Sequence, residues 1–282
     1  MLLTVTAPLP PLPTPSPATV LARNAVQVLG HGKPPLLLCN GFSCSQTVWH
    51  HFVAALGVHH QVILFDHVGS GASDPDAYDP LKYGTLAGYA QDVVEICQAL
   101  ELRGAVIMGH SVGATIALLA AAQAPEHFAK AVLLAPSPCY LNRPGYYGGF
   151  ERTDLDDILA LLDTDTWGQS FAHLLTGPAN PDSVAEELAE QFCASNSAAA
   201  RRFARVAFLS DHRADVPRLR LPTLVLQCTH DMVVPPAVGA YLLQHLPDAR
   251  LMTLRATGHC PHLSAPVETL AALLPFLTNA EA

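Results

Sequence analysis

Between Gly104 and Pro125 the chain carries no Asp, Glu, Lys or Arg. A segment so free of charge has to be buried, either in a bilayer or in a protein interior. Gly104, Gly109, Gly113 and the His110-Ser111 pair interrupt it, which speaks against a membrane span. The short apolar run 104–109 reads as a strand, and Ala114-Thr115-Ile116-Ala117-Leu118-Leu119-Ala120-Ala121-Ala122-Gln123 reads as a helix. A strand and a helix that are both apolar all round belong at the centre of a layered α/β fold, where neither faces water.

The flanking sequence repeats this alternation. Leu36-Leu37-Leu38-Cys39 and Val62-Ile63-Leu64-Phe65 are short and apolar throughout, as strands of a parallel sheet are when helices cover both faces. Strands are expected over 19–29, 35–39, 61–65, 104–109 and 130–135, and helices over 46–56, 85–101 and 112–123. After Pro136 the strand signals stop. Residues 137–212 hold four helix-like stretches, near 151–164, 166–176, 183–194 and 197–210, separated by Gly, Pro, Asn and Ser. The alternation then resumes with strand 222–227, helix 236–246, strand 249–255 and helix 265–278. The expected organisation is a flexible Pro-rich extension over 1–17, an α/β core formed by 18–136 and 213–282, and a helical insertion over 137–212.

Charge narrows the possible partners. The formal net charge is −9, and the only basic pair is Arg201-Arg202, so neither nucleic acid nor an anionic membrane is an expected partner. The seven cysteines are scattered without a Cys-x-x-Cys pair, which excludes a zinc ribbon and favours reduced thiols in the cytoplasm. The N-terminus lacks a basic region and is crowded with prolines from 8 to 17, a poor signal peptide. A soluble, cytoplasmic protein is the expectation.

Gly109-His110-Ser111-Val112-Gly113 fits Gly-x-Ser-x-Gly, and its strand–helix setting gives the pattern weight. A serine on so sharp a turn projects its hydroxyl above the sheet, and small residues two positions either side let strand and helix come close. The hydroxyl is a weak nucleophile and needs a base oriented by an acid. Asp231 follows the strand Thr223-Leu224-Val225-Leu226, and His259 follows the strand near 249–255, which is the order Ser, Asp, His. Without partners, Asp231 would be an ordinary loop or capping aspartate and His259 a surface-loop histidine. Of the neighbouring histidines, His262 is expected to be structural and His230 exposed. Donors for an oxyanion are expected from the N–H of Val112 and from the N–H of Phe42, in the turn Asn40-Gly41-Phe42 after the strand 35–39. This chemistry calls for neither cofactor nor metal. The pairs His50-His51 and His59-His60 read as solvated surface rather than ligands, and Gly69-Ser70-Gly71 lacks the Gly-Lys-Ser/Thr of a phosphate loop.

At these residues the sequence resembles the α/β-hydrolases that include the bacterial sigma-factor regulator RsbQ and the plant karrikin and strigolactone receptors. The resemblance runs from about residue 18 to the C-terminus. It is carried by the serine motif, Ser137-Pro138-Cys139-Tyr140-Leu141-Asn142, Gly148-Gly149-Phe150-Glu151, Phe208-Leu209-Ser210-Asp211-His212-Arg213 and Gly258-His259-Cys260-Pro261-His262. The Cys-Tyr-Leu-Asn and Ser-Asp-His-Arg stretches look closer to RsbQ. The resemblance implies a V-shaped lid of four helices, the triad Ser111, Asp231 and His259, and oxyanion donors at Phe42 and Val112. It also implies an apolar pocket lined by Phe42, Phe150, Trp167, Phe171, Phe192 and Phe208. Asn40 departs from the His that many relatives carry before Gly-Phe, which bears on the rigidity of the oxyanion turn.

Two functions follow from the resemblance. One is hydrolysis of a small apolar ester or lactone through an acyl-enzyme. The other is ligand-dependent signalling in a stress response, with a phosphatase-type protein partner as for RsbQ. Haloalkane dehalogenation needs Asp at the nucleophile position and is excluded by Ser111. A lid of the implied kind also disfavours a long-chain lipase.

Overall fold

A computed structural model describes residues 15–164, 166–193 and 197–278. Seven strands form one sheet: β1 (Gln27–Leu29), β2 (Leu36–Cys39), β3 (Val62–Leu64), β4 (Ala105–His110), β5 (Phe128–Leu134), β6 (Thr223–His230) and β7 (Ala249–Thr257). Their order is β1-β3-β2-β4-β5-β6-β7, with β1 antiparallel to β3 and every other pairing parallel. The helices before the insertion are α1 (Pro17–Arg23), α2 (His50–Leu56), α3 (Leu86–Ala99) and α4 (Val112–Gln123). Between β5 and β6 come α5 (Arg152–Leu161), α6 (Trp167–Thr176), α7 (Asp182–Cys193) and α8 (Ser197–Leu209), the four helices expected there. After β6 follow α9 (Pro236–His245), α10 (Pro261–Ser264) and α11 (Pro266–Thr278).

The central strands are apolar because both of their faces are covered. Every residue of β2, β3 and β4 is buried, and α4 is buried along nearly its whole length. The chain order reverses at β2-β4, so the loops after β2 and β4 diverge and leave a crevice at the carboxyl ends of the strands. Asn40-Gly41-Phe42, Asp66, Ser111, Asp231 and His259 all follow strands at that end. The expected strands 222–227 and 249–255 extend to His230 and Thr257, and so deliver Asp231 and His259 directly to it.

One expectation is corrected. The stretch 19–29 is not a single strand but α1, a turn at Ala25 (φ 46°), and the short β1. Ser16 caps the helix by accepting a hydrogen bond from Thr19 N–H at 3.2 Å, and Pro17 occupies its first turn, where a missing N–H costs nothing. The Pro-rich extension therefore stops short of Pro17, and residues 1–14 lie outside the described residues.

Arg23, at the end of α1, ties that helix to α3. Its guanidinium lies 2.9 Å from Asp92 and 2.7 Å from Glu95, and Lys82 lies 2.6 Å from Asp92. The Asp92 side chain is only 1% exposed, so its charge depends on these cations. Arg23→Ala is expected to cost about 2–4 kcal/mol of stability in urea unfolding. Arg23→Lys should lose less, because lysine keeps the charge but not the two-pronged geometry.

Candidate active site

The turn between β4 and α4 is shaped by two glycines. A Cβ on Gly109 would run into the Gly113 carbonyl, and a Cβ on Gly113 would run into the carbonyl oxygens of Asn40 and Cys39. With both side chains absent, α4 seats directly on the ends of β2 and β4. The joint is closed at Ser111, held at φ 56°, ψ −126°, a conformation a residue with a Cβ adopts only under strain. Ser111 N–H is fixed to the Leu134 carbonyl of β5 at 2.9 Å.

Around this serine the sequence-predicted partners converge. Ser111 Oγ lies 2.7 Å from His259 Nε2, and His259 Nδ1 lies 2.8 Å from Asp231 Oδ2. The carboxylate can only accept, so Nδ1 carries the proton and Nε2 is free to receive the Ser111 hydroxyl's hydrogen. Asp231 is fixed through its other oxygen, which accepts from Val233 N–H at 2.8 Å and Val234 N–H at 3.1 Å. The side chains of His259 and Asp231 are 1% and 0% exposed.

His259 is positioned from both sides. Its backbone N–H donates to the Leu175 carbonyl of α6 at 2.7 Å, and its carbonyl lies 2.8 Å from His110 Nε2. Gly258 (φ 84°) lets the loop pass under the Thr176 carbonyl, which a Cβ there would meet. Asn180 Nδ2 bridges the Thr176 and Thr257 carbonyls at 2.7 and 2.8 Å. The histidine loop and the end of α6 are therefore one hydrogen-bonded unit.

Phe42 and Val112 flank Ser111 on the chain ends that the sequence indicated. Val112 is the first residue of α4, where an N–H has no acceptor within the helix. Gly41 lets the turn after β2 come close to His110, since a Cβ there would sit 2.6 Å from Nδ1. Asn40, the departure from the family pattern, is fully buried. Its side chain accepts from Trp49 Nε1 at 2.8 Å and donates to the Phe65 carbonyl at 2.9 Å, while its own carbonyl lies 3.1 Å from His67 Nε2. The turn is anchored at both groups, so asparagine does not loosen it.

The aromatic side chains meet over this site in an arrangement only partly legible in the sequence. Phe42 packs against Trp167, Phe171, Phe192 and Phe208 with ring centroids 5.8–6.3 Å apart. Phe203, absent from the sequence expectation, joins them 5.8 Å from Phe42 and stacks on Tyr89 at 4.4 Å. Its signal is the inward face of α8, on which Ala199, Phe203 and Ala207 recur at helical spacing. Phe150 is not brought into this cluster. It is half-buried, and its backbone pairs with Tyr140 and Asn142, which uses it in the approach to α5. A second unforeseen residue is Tyr140, whose hydroxyl lies 3.3 Å from Ser111 Oγ.

Beside Ser111 lies a cavity of about 20 Å³, walled among others by Phe42, Phe171, Leu175, Leu188, Phe208 and Val233. That holds little more than a water molecule. Cys44 and Cys260 also border it, and burial pushes the Cys44 thiol up to about 12 and that of Cys260 well above its ordinary value. Both remain un-ionised, so Ser111 has no competing thiolate beside it.

Of the other histidines, His230 is exposed, as expected, and His262, expected to be structural, is fully buried. His50 and His51 are exposed on α2 with ring centroids 3.9 Å apart, closer than adjacent residues on a helix are expected to bring them. Among the described residues no group of three or more His, Cys, Asp or Glu could hold a metal ion. Nor is any helix among them long and apolar enough to cross a membrane.

A seven-stranded, mostly parallel sheet with a serine–histidine–aspartate chain at its carboxyl edge defines a class of α/β proteins built for acyl chemistry. The family model described as the α/β hydrolase fold matches residues 34–266, and the chain belongs to that family. Among its relatives, a probable esterase of Oryza sativa subsp. japonica is 36% identical over 253 residues, covering 88% of this chain and 93% of the relative. The karrikin insensitive 2 receptor CA of Petunia hybrida is 36% identical with the same coverage. Among solved structures, a hydrolase from Oleispira antarctica is 34% identical, covers 94% of this chain and 98% of its own, and superposes with a TM-score of 0.91.

The buried histidines set an acid limit on stability. Burial lowers His67 to about 4 and His262 to about 3, the latter helped by the charges of neighbouring histidines, and His110 falls well below its ordinary value. All three are neutral in the fold but protonate at about 6.5 when unfolded. Their contribution is complete above pH 6.5 and is lost as the pH falls from there toward the folded values. Unfolding midpoints in urea should drop between pH 7 and pH 5. His262→Gln should shrink that loss by about 2 kcal/mol, the share of one such histidine.

Proposed function

We propose that the protein is a serine hydrolase that cleaves a small, largely apolar ester or lactone. Ser111 is the nucleophile, His259 the general base and then acid, and Asp231 the group that holds the imidazole tautomer and stabilises the imidazolium. The reading rests on one observation above all, the chain of short hydrogen bonds from Ser111 Oγ through His259 to Asp231 on a strained turn. Phe42 and Val112 N–H groups receive the oxyanion, and water releases the acyl-enzyme. The rice relative, a probable esterase, supports ester cleavage.

The insertion over 137–212 acts as a lid, and Phe42, Trp167, Phe171, Phe192 and Phe208 form the apolar surface that meets the ligand. Apolar walls with one polar corner at Ser111 favour a compact, weakly polar acyl or lactone group. Such a ligand fits only after the rings part, because the closed cavity is about 20 Å³. A reducing, cytoplasmic setting is consistent with the free thiols of Cys39, Cys44, Cys97, Cys139, Cys228 and Cys260.

That closed cavity also favours a second reading. A ligand that has to open the lid changes the shape of the protein, as a ligand-dependent signalling regulator requires. The Petunia relative is named a receptor, and an RsbQ-like role with a phosphatase-type partner is the form this reading takes.

Ser111→Ala is expected to lower turnover of short p-nitrophenyl esters at least about a thousandfold while leaving the unfolding midpoint near that of the parent. Intact-protein mass spectrometry should show an acyl adduct on the parent and none on the variant. Retention of most activity in Ser111→Ala would overturn the nucleophile assignment. Partner binding that depends on ligand, together with slow turnover, would favour the signalling reading over metabolic hydrolysis.

A further inference from the structure

Tyr140 is buried to 2% exposure, and its hydroxyl has a single hydrogen-bond partner among the described residues, Ser111 Oγ at 3.3 Å. A buried hydroxyl costs free energy unless it is well paired, and 3.3 Å is long for an O–H···O bond. The ring meanwhile packs on Phe208, with centroids 5.1 Å apart, which phenylalanine would do equally well. Packing therefore accounts for the ring but not for the oxygen.

The direction of the bond follows from the other two groups. Ser111 has one proton, and it points to His259 Nε2 at 2.7 Å. The Tyr140 phenol is held protonated, since burial pushes it up to about 12. Tyr140 therefore donates, and Ser111 Oγ accepts with a lone pair. As Ser111 Oγ gives its proton to His259 and bonds the acyl carbon, it keeps two lone pairs but becomes a weaker acceptor, and the donor is left facing the new tetrahedral centre.

Topology decides which oxygen it then faces. Phe42 follows β2, on one side of β4, whereas Tyr140 follows β5, on the other. The oxyanion is drawn toward the Phe42 and Val112 N–H groups. The opposite flank, shared with the loops carrying Asp231 and His259 after β6 and β7, is left for the departing oxygen.

We infer that Tyr140 is a further catalytic residue, whose hydroxyl donates a hydrogen bond to the leaving-group oxygen in acylation and to the attacking water oxygen in deacylation. This rests on Ser111 as the nucleophile. In acylation the Oγ–C bond forms, the C–O bond to the leaving group breaks, and the serine proton passes through His259 Nε2 to the departing oxygen. In deacylation a water O–C bond forms, the Oγ–C bond breaks, and the proton returns to Ser111 by the same imidazole. Tyr140 keeps its own proton throughout and lowers the charge that builds on the oxygen it faces.

Such a donor matters most when the leaving group is basic. Tyr140→Phe is tested on a pair of esters sharing one acyl group, one with an ethoxide and one with a p-nitrophenoxide leaving group, beside Ser111→Ala. Expected is a loss of about tenfold or more in kcat/KM for the ethyl ester and at most about threefold for the p-nitrophenyl ester. The unfolding midpoint should be unchanged or raised, because an underused buried hydroxyl has gone. Equal losses on both esters, or no loss on either, with Ser111→Ala inactive, would overturn the role of Tyr140 alone. Activity surviving in Ser111→Ala would overturn the hydrolase reading beneath it. If Tyr140→Phe fails to fold, Tyr140→Met in the same ester comparison decides the matter, since it too lacks the hydroxyl.

Discussion

The seating of α4 on the ends of β2 and β4 governs the rest of the site. Gly109 and Gly113 permit backbone-to-backbone approach where any Cβ would collide with a carbonyl. The cost is a strained Ser111, and the surrounding structure keeps the strain in place through the Leu134 carbonyl and the buried helix. The other residues of the candidate site are placed relative to that point. The Asn40-Gly41-Phe42 turn lies against it because Gly41 can approach His110, and the loops after β6 and β7 reach it because those strands run on to His230 and Thr257.

The polar groups around the serine are arranged so that each holds its neighbour still. Asp231 is tied down by two backbone N–H groups, His259 by Asp231 and by the chain ends of α6 and β4, and Asn40 by Trp49 and the Phe65 carbonyl. Little reorganisation remains to be done when charge develops, which is the condition under which fixed dipoles act most strongly. Gly69-Ser70-Gly71 serves this framework too. Gly71 leaves room for the Asp66 carboxylate, which accepts from Gln46 N–H at 2.7 Å and Ala72 N–H at 2.8 Å and so joins the loops after β2 and β3.

What is legible in the sequence is the part governed by local pattern. Ser111 stands out because its motif sits between an apolar strand and an apolar helix, and Asp231 and His259 because each ends a strand in the right order. The residues that escape a reading of the sequence are defined by contacts between distant segments. Tyr140 matters because β5 lies beside β4, a fact of strand order rather than of its own neighbours in the chain. Phe203 is visible as an inward-facing helix position, yet only packing shows that it meets Phe42. The segment 19–29 reads as one strand because its apolar residues outweigh the Ser16-Pro17 start signal, and Phe150 is placed in the pocket by the resemblance alone, whereas it stands outside the aromatic cluster.

The filled space above Ser111 changes what a binding constant for this protein would mean. Beside the cavity of about 20 Å³ bordered by Phe42, Phe171 and Phe208, the ligand proposed above would bind only the fraction of molecules in which these rings have separated. Its apparent dissociation constant is the intrinsic one divided by that fraction. Side chains that never touch the ligand then tune affinity by setting how often the cluster opens. Two homologues with identical serine, histidine and aspartate could differ widely in sensitivity through nothing more than how tightly their aromatic rings cohere.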